Sequence, residues 1–131
     1  MTESGADLLR QVALKDGRYP VEAYRFIFEA LGYSLQQAGR SGGHVTGREL
    51  AEGIRGKALA EFGGLARVVF ETWGIRRTED FGEIVFNLVE SGLMGKTDTD
   101  SKEDFNGVYD FREAFPTIDE MRRRGRGKPA G

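Results

Sequence analysis

His44 is the only histidine in the sequence and therefore the only imidazole able to act as a general base near neutral pH. It follows the glycine-rich loop Gly39-Arg40-Ser41-Gly42-Gly43 and precedes a capped helix start. General-base chemistry needs a positioned partner, and the sequence identifies none for it. His44 therefore reads as a structural or surface group. Gly95-Lys96-Thr97 matches the end of a phosphate-binding loop, but the full motif needs a glycine where Glu90 stands, with a strand before the loop. The acidic run from Asp98 to Asp104 opens like a calcium loop. Counting from Asp98, however, Lys102, Glu103 and Tyr109 occupy the places of an oxygen ligand, a glycine and a glutamate. That run reads as a solvated acidic turn.

Carboxylates and guanidinium groups are what remain. Arg25, Arg48, Glu49 and Glu83 could work as an acid–base set if they met in a cleft. The simpler role is helix capping and surface ion pairing, worth about 0–1 kcal/mol per pair. No catalytic, metal-binding or cofactor-binding residue is assigned, no cofactor is expected, and an enzyme is the less favoured reading. Trp73, Phe62, Phe70, Phe81 and Phe86 suggest a stacking surface for bases, yet their helical spacing favours a core. Phe70 and Phe86 lie beside the main apolar stripes of their helices. Each is a candidate for a wider core or for a protein-binding patch.

Composition narrows the field further. The chain has 131 residues, one domain's worth. The absence of cysteine excludes disulfides, thiol nucleophiles and thiolate metal sites, and one histidine excludes a multi-histidine metal cage. No apolar run approaches the ~18 residues of a spanning helix. Glu3, Asp7 and Arg10 interrupt the N-terminal segment, so it lacks the apolar core of a secretion signal. These features predict a soluble, cytoplasmic protein that does not engage a membrane. Net charge is −2, unevenly spread: the first 118 residues hold 14 basic and 19 acidic side chains, net −5. The end of the chain carries Arg122, Arg123, Arg124, Arg126 and Lys128. Arg-Gly strings of this kind bind phosphate backbones without sequence preference. Those five residues are candidates for weak, salt-sensitive nucleic-acid contact.

The elements read as helices. Leu8, Leu9 and Val12 predict a first helix ending near Gly17. Pro20 suits the first turn of the second, where Val21, Tyr24, Ile27, Phe28 and Leu31 recur at helical spacing until Gly32 closes it. Thr46-Gly47-Arg48-Glu49 is a capping box, followed by Leu50, Ile54, Leu59 and Phe62 on one face. After Gly63-Gly64, the residues Leu65, Val68, Val69 and Trp73 predict a further apolar stripe. Thr78 is the expected N-cap of a strongly apolar helix bearing Phe81, Ile84, Val85, Leu88 and Val89. Leu93 to Lys96 and Val108 to Phe111 read as two short strands of a hairpin with a long polar tip. Thr117-Ile118-Asp119-Glu120 is another capping box, at the start of a short terminal helix, and Gly125 to Gly131 reads as disordered.

From Gly17 to Phe115 the chain resembles a small bacterial protein family with no established activity. The strings that carry the likeness are Gly17-Arg18-Tyr19-Pro20 with Ala23-Tyr24-Arg25-Phe26, and His44-Val45-Thr46-Gly47-Arg48-Glu49-Leu50. They continue with Thr78 to Leu88 and with Val108-Tyr109-Asp110-Phe111. The resemblance implies a self-contained domain and transfers no site residues.

The expected fold is mainly α, a single helical domain over residues 1–117 with a small β-hairpin and a basic, disordered tail over residues 118–131. Capped helix, turn, helix and hairpin in that order echo a winged helix. Against DNA binding by such a fold, the stretch from Glu79 to Asp104 carries eight acids and two lysines, and phosphates would be repelled. The expected function is a non-enzymatic protein-interaction or regulatory module, whose partner is another protein or a second copy. The alternative is a nucleic-acid- or ribosome-associated protein using the basic tail.

Overall fold

The computed structural model describes residues 5–37, 39, 45–95 and 102–127. They form α1 (Gly5–Asp16), α2 (Val21–Gln37), α3 (Gly47–Phe62), α4 (Ala66–Thr72), α5 (Thr78–Glu90), α6 (Phe111–Ala114) and α7 (Ile118–Gly127). Short 3-10 turns cover Gly63–Leu65 and Lys102–Phe105. Among the described residues there is no strand, so the expected hairpin and the winged-helix-like arrangement are corrected to helices alone.

Local chemistry explains the correction. Leu93 and Met94 both donate their N–H groups to the Leu88 carbonyl, at 3.0 and 3.1 Å, and so wrap the end of α5. The left-handed backbone at Gly92 (φ 82°) allows this turn. The second run has no partner strand either. Val108 donates its N–H to Thr78 Oγ1 at 3.1 Å, and the Tyr109 hydroxyl donates to the Ala51 carbonyl at 2.7 Å. Phe111 then begins α6, with Asp110 capping the Arg112 N–H at 2.7 Å. Of the polar tip, Thr97 to Asn106, residues 97–101 lie outside the described residues, as do Lys96 and His44, and Lys102–Phe105 forms a 3-10 turn.

Two helix ends also differ from expectation. α2 runs through Gly32 to Gln37, because Ser34 is buried and Leu35 is half-buried against neighbouring apolar side chains. Thr78 is not the cap of α5 but its first residue, fully buried beneath Val108. Asp80 performs the capping instead: its Oδ2 accepts from the N–H groups of Arg76 (2.8 Å) and Arg77 (3.3 Å). The box at Thr46 and Glu49 is present in both directions, at 3.0 and 2.9 Å. So is the one at Thr117 and Glu120, at 2.8 and 3.2 Å. Ile118–Gly127, most of the tail expected to be disordered over residues 118–131, forms α7, whereas residues 128–131 fall outside the described residues.

α2 packs against α1, α3 and α5. Its approach to α3 is closest at Gly53, where an added Cβ would stand 1.8 Å from Ser34 Oγ. α4 carries the largest rotation relative to expectation. Ala66 and Phe70 face inward and are fully buried, while Leu65 and Val68 are exposed. Phe70 meets the rings of Phe26 (5.8 Å), Phe81 (5.5 Å), Phe111 (5.7 Å) and Phe115 (5.1 Å). A seven-residue helix has room for one inward stripe, and Phe70, its one aromatic side chain, takes it.

The α2–α3 approach gives a matched pair of substitutions. Gly32 has open space around a built Cβ, so Gly32→Ala should stabilise by roughly 0.5–1 kcal/mol. Gly53→Ala should lower the melting temperature steeply, since Ser34 cannot retreat far within a buried helix contact. Thermal unfolding of both variants by circular dichroism checks this, and similar melts would mean that the helices do not meet at Ser34. Thr46→Ala should cost about 1 kcal/mol in the same measurement, and Glu49→Ala less.

Candidate functional site

Two polar or amphipathic regions stand out. The first joins the α1–α2 connection to α5. Asp16 accepts from Arg18 Nε and from the Tyr24 hydroxyl, each at 2.8 Å. The Tyr24 oxygen in turn accepts from Asn87 Nδ2 at 2.9 Å. Beside this chain of bonds, the Tyr19 hydroxyl donates to Asp80 Oδ1 at 2.7 Å. Arg18 also reaches Glu83 at 3.3 Å, and Lys102 meets the same Glu83 oxygen at 3.4 Å. Burial pushes the phenols of Tyr19 and Tyr24 well above their usual range, and the carboxylate partners Asp80 and Asp16 add to it. These donors and acceptors are satisfied by one another, which marks the region as a strut between α1, α2 and α5.

The second region is a surface. Leu65 (55% exposed) and Val68 (49%) lie one helical turn apart, as do Ile118 (46%) and Met121 (41%) on α7. The two pairs border each other. A Cβ on Gly64 would stand 2.4 Å from Ile118 Cγ1, and Arg67 Nη2 is held by Glu120 Oε1 at 2.6 Å. Adjoining them is a cleft of about 420 Å³ lined by Arg67, Val68, Glu71, Arg76, Asp110, Phe111, Arg112 and Thr117. Glu120 is half-buried between Arg67 and Thr117. Its carboxyl is held below the usual range by the Thr117 N–H first, then by the Thr117 hydroxyl and by Arg67. What this region offers is apolar contact area beside a cleft in which arginines and carboxylates both stand.

The residues singled out by sequence are placed as follows. Phe70 is fully buried at the centre of the aromatic core. Phe86 is 43% exposed on α5, with the Lys102 ammonium 4.7 Å from its ring centre. Arg122, Arg123 and Arg124 are exposed on α7, whose backbone extends through Arg126, while Lys128 lies outside the described residues. Arg48 and Glu49 line a groove of about 450 Å³ between α2 and α3 with Tyr33, Gln37 and Glu52. Glu83 belongs to the strut instead, and Arg25 is exposed on α2. Among the described residues, no three His, Asp or Glu side chains gather in a way that would hold a metal ion. No helix among them is long and apolar enough to cross a membrane.

Sequence reasoning missed the exposed set of Leu65, Val68, Ile118 and Met121. The signal for half of it was present, since Ile118 and Met121 sit at helical spacing directly after a capping box. Leu65 and Val68 were hidden by their own apolar character, which made them look like core. No family model, curated protein or solved structure matches the chain, so the functional reading rests on this geometry.

The strut sets an alkaline limit to stability. A folded-state phenol raised above its unfolded value of about 10 contributes stability that is complete below that pH. The contribution is lost as pH rises beyond it. Urea midpoints measured from about pH 9 to 12 should fall for the wild type. Tyr24→Phe should start lower, by roughly 1–2 kcal/mol, and decline less steeply. Parallel curves for the two proteins would show that Tyr24 is not held in its protonated form.

Proposed function

We propose that this domain is a non-enzymatic protein-interaction or regulatory module that docks a partner on the face formed by Leu65, Val68, Ile118 and Met121. The observation that carries this reading is that four large apolar side chains, each 41–55% exposed, lie on the 3-10 turn and α4 and on α7, where Gly64 packs on Ile118 and Arg67 pairs with Glu120. Scattered exposed apolar residues are ordinary, but a contiguous patch with a polar rim marks a recognition surface. The fold holds the patch in position, because the burial of Phe70 fixes which side of α4 faces out and the Arg67–Glu120 pair ties α7 beside it. A partner that covers these side chains removes apolar area from water at little cost in ordering the domain.

A second reading has one observation in its favour. Arg122, Arg123 and Arg124 are all exposed on α7, and with Arg126 and Lys128 they form the cationic end suited to a phosphate backbone. The acidic remainder of the chain opposes such binding.

A photo-crosslinking residue at Met121 separates these readings in cells that express the full chain. The interaction reading predicts a defined protein adduct that is lost when Leu65→Ser and Val68→Ser are introduced. An adduct indifferent to those two changes contradicts it. Binding to a short RNA duplex at low and moderate salt, with and without residues 122–131, tests the second reading, which requires that binding vanish with the tail.

A further inference from the structure

We infer that the cavity between the last turns of α1 and α5 binds a small free α-amino acid, whose ammonium group meets Asn87 and Glu90 and whose carboxylate meets Lys15. This cavity shares no residue with the exposed apolar face, and it stands whether or not that face docks a partner.

The cavity measures about 360 Å³ and is lined by Val12, Lys15 and Asp16 of α1, by Asn87 and Glu90 of α5, and by Ser91 just beyond. That is the low end of the ~300–1,000 Å³ of small-molecule sites, a size for a compact ligand. The strut fixes its polar wall. The Tyr24 hydroxyl has one proton and gives it to Asp16 Oδ2 at 2.8 Å, so toward Asn87 its oxygen can only accept. Asn87 therefore turns Nδ2 to Tyr24, at 2.9 Å, and keeps Oδ1 as an acceptor that meets no donor among the described residues.

Opposite charges stand on the two helices, Lys15 on α1 and Glu90 on α5. Both are exposed, and among the described residues neither makes an ion pair. Asp16, by contrast, is already engaged by Arg18 and Tyr24. Both helices end here, and the partial negative charge of a helix C-terminus favours a cation beside the two free acceptors. Asn87 and Glu90 thus suit a group with several N–H donors, and Lys15 suits an anion. An α-amino acid carries both on one carbon, and each contact is a charge-assisted hydrogen bond. Val12 is the one large apolar side chain in the lining, which fits a short side chain on the ligand.

Other occupants fit less well. A bare cation would face Lys15, and among the described residues no group of three carboxylates or imidazoles is placed to hold a metal. An anion would face Glu90 and Asp16. A neutral molecule would strip water from Lys15 and Glu90 without replacing its hydrogen bonds. A direct pair between Lys15 and Glu90 would be a solvent-exposed one of little strength, which a ligand bonded to both can replace.

The test uses the full chain and three probes: free alanine, ethylamine and propionate, the zwitterion and its two halves. Binding is read from backbone amide shifts on titration. Free alanine should give saturable shifts of residues 12–16 and 87–91 at millimolar concentration. It should bind at least about tenfold more tightly than either half. Lys15→Gln and Glu90→Gln should each cost about tenfold of that affinity while melting like the wild type. Ethylamine binding as tightly as free alanine would overturn the amino acid in favour of a simple ammonium ligand, and propionate doing so would overturn it in favour of an anion. Affinity unchanged in both variants, or no saturable shift of residues 12–16 and 87–91, would overturn the cavity as a binding site.

Discussion

The burial of Phe70 is the constraint on which the remaining arrangement depends. Its ring touches Phe26 of α2, Phe81 of α5, and Phe111 and Phe115 in and after α6, and it lies 6.0 Å from Trp73. Each such pair adds about 0.5–1.5 kcal/mol beyond the area it buries. Truncating a ring in this position typically costs about 3–5 kcal/mol, a large share of a domain's usual 5–15 kcal/mol. No alternative rotation of α4 recovers that much, because Leu65 and Val68 are smaller and would meet the same ring pocket incompletely. Their exposure follows from the core rather than from a local preference.

The same logic extends from the core to the outer elements. Gly53 lets α3 settle on Ser34, which brings Ala51 within reach of the Tyr109 hydroxyl. That bond and the Val108–Thr78 bond guide the chain into α6, where Phe111 and Phe115 close over Phe70. α7 then starts from its own capping box and lies beside α4 through Arg67 and Glu120. An apolar patch with arginines and carboxylates along its edge is thus the end product of a sequence of packing decisions that begin in the interior.

Much of this was legible in the sequence where the signal is local. The capping boxes at Thr46 and Thr117 depend on residues three apart, and the α5 stripe from Phe81 to Leu88 depends on spacing within one helix. Signals that depend on tertiary partners were misread. Val108-Tyr109-Asp110-Phe111 has the β-branched and aromatic content of a strand, but such propensity yields to burial, and Tyr109 and Phe111 are core residues. Gly32 looked like a helix end because glycine often is one, whereas the contacts of Ser34 and Leu35 carry α2 onward. In the candidate site, the α7 arginines were visible as composition. The cleft of Arg76 and Arg112 was not, because residues 36 positions apart share a wall only once α6 is folded against α4.

The central claim is that one face of α4 is core and the other is open surface beside α7. The chain contains no cysteine, so single cysteines report accessibility without background. Rates of thiol modification at Leu65→Cys, Val68→Cys, Met121→Cys and Ala66→Cys measure the claim directly. The first three should react nearly as fast as a free thiol, and Ala66→Cys should be protected until the domain unfolds. A protected Val68→Cys, or an Ala66→Cys that reacts as quickly as its neighbours, would contradict the account.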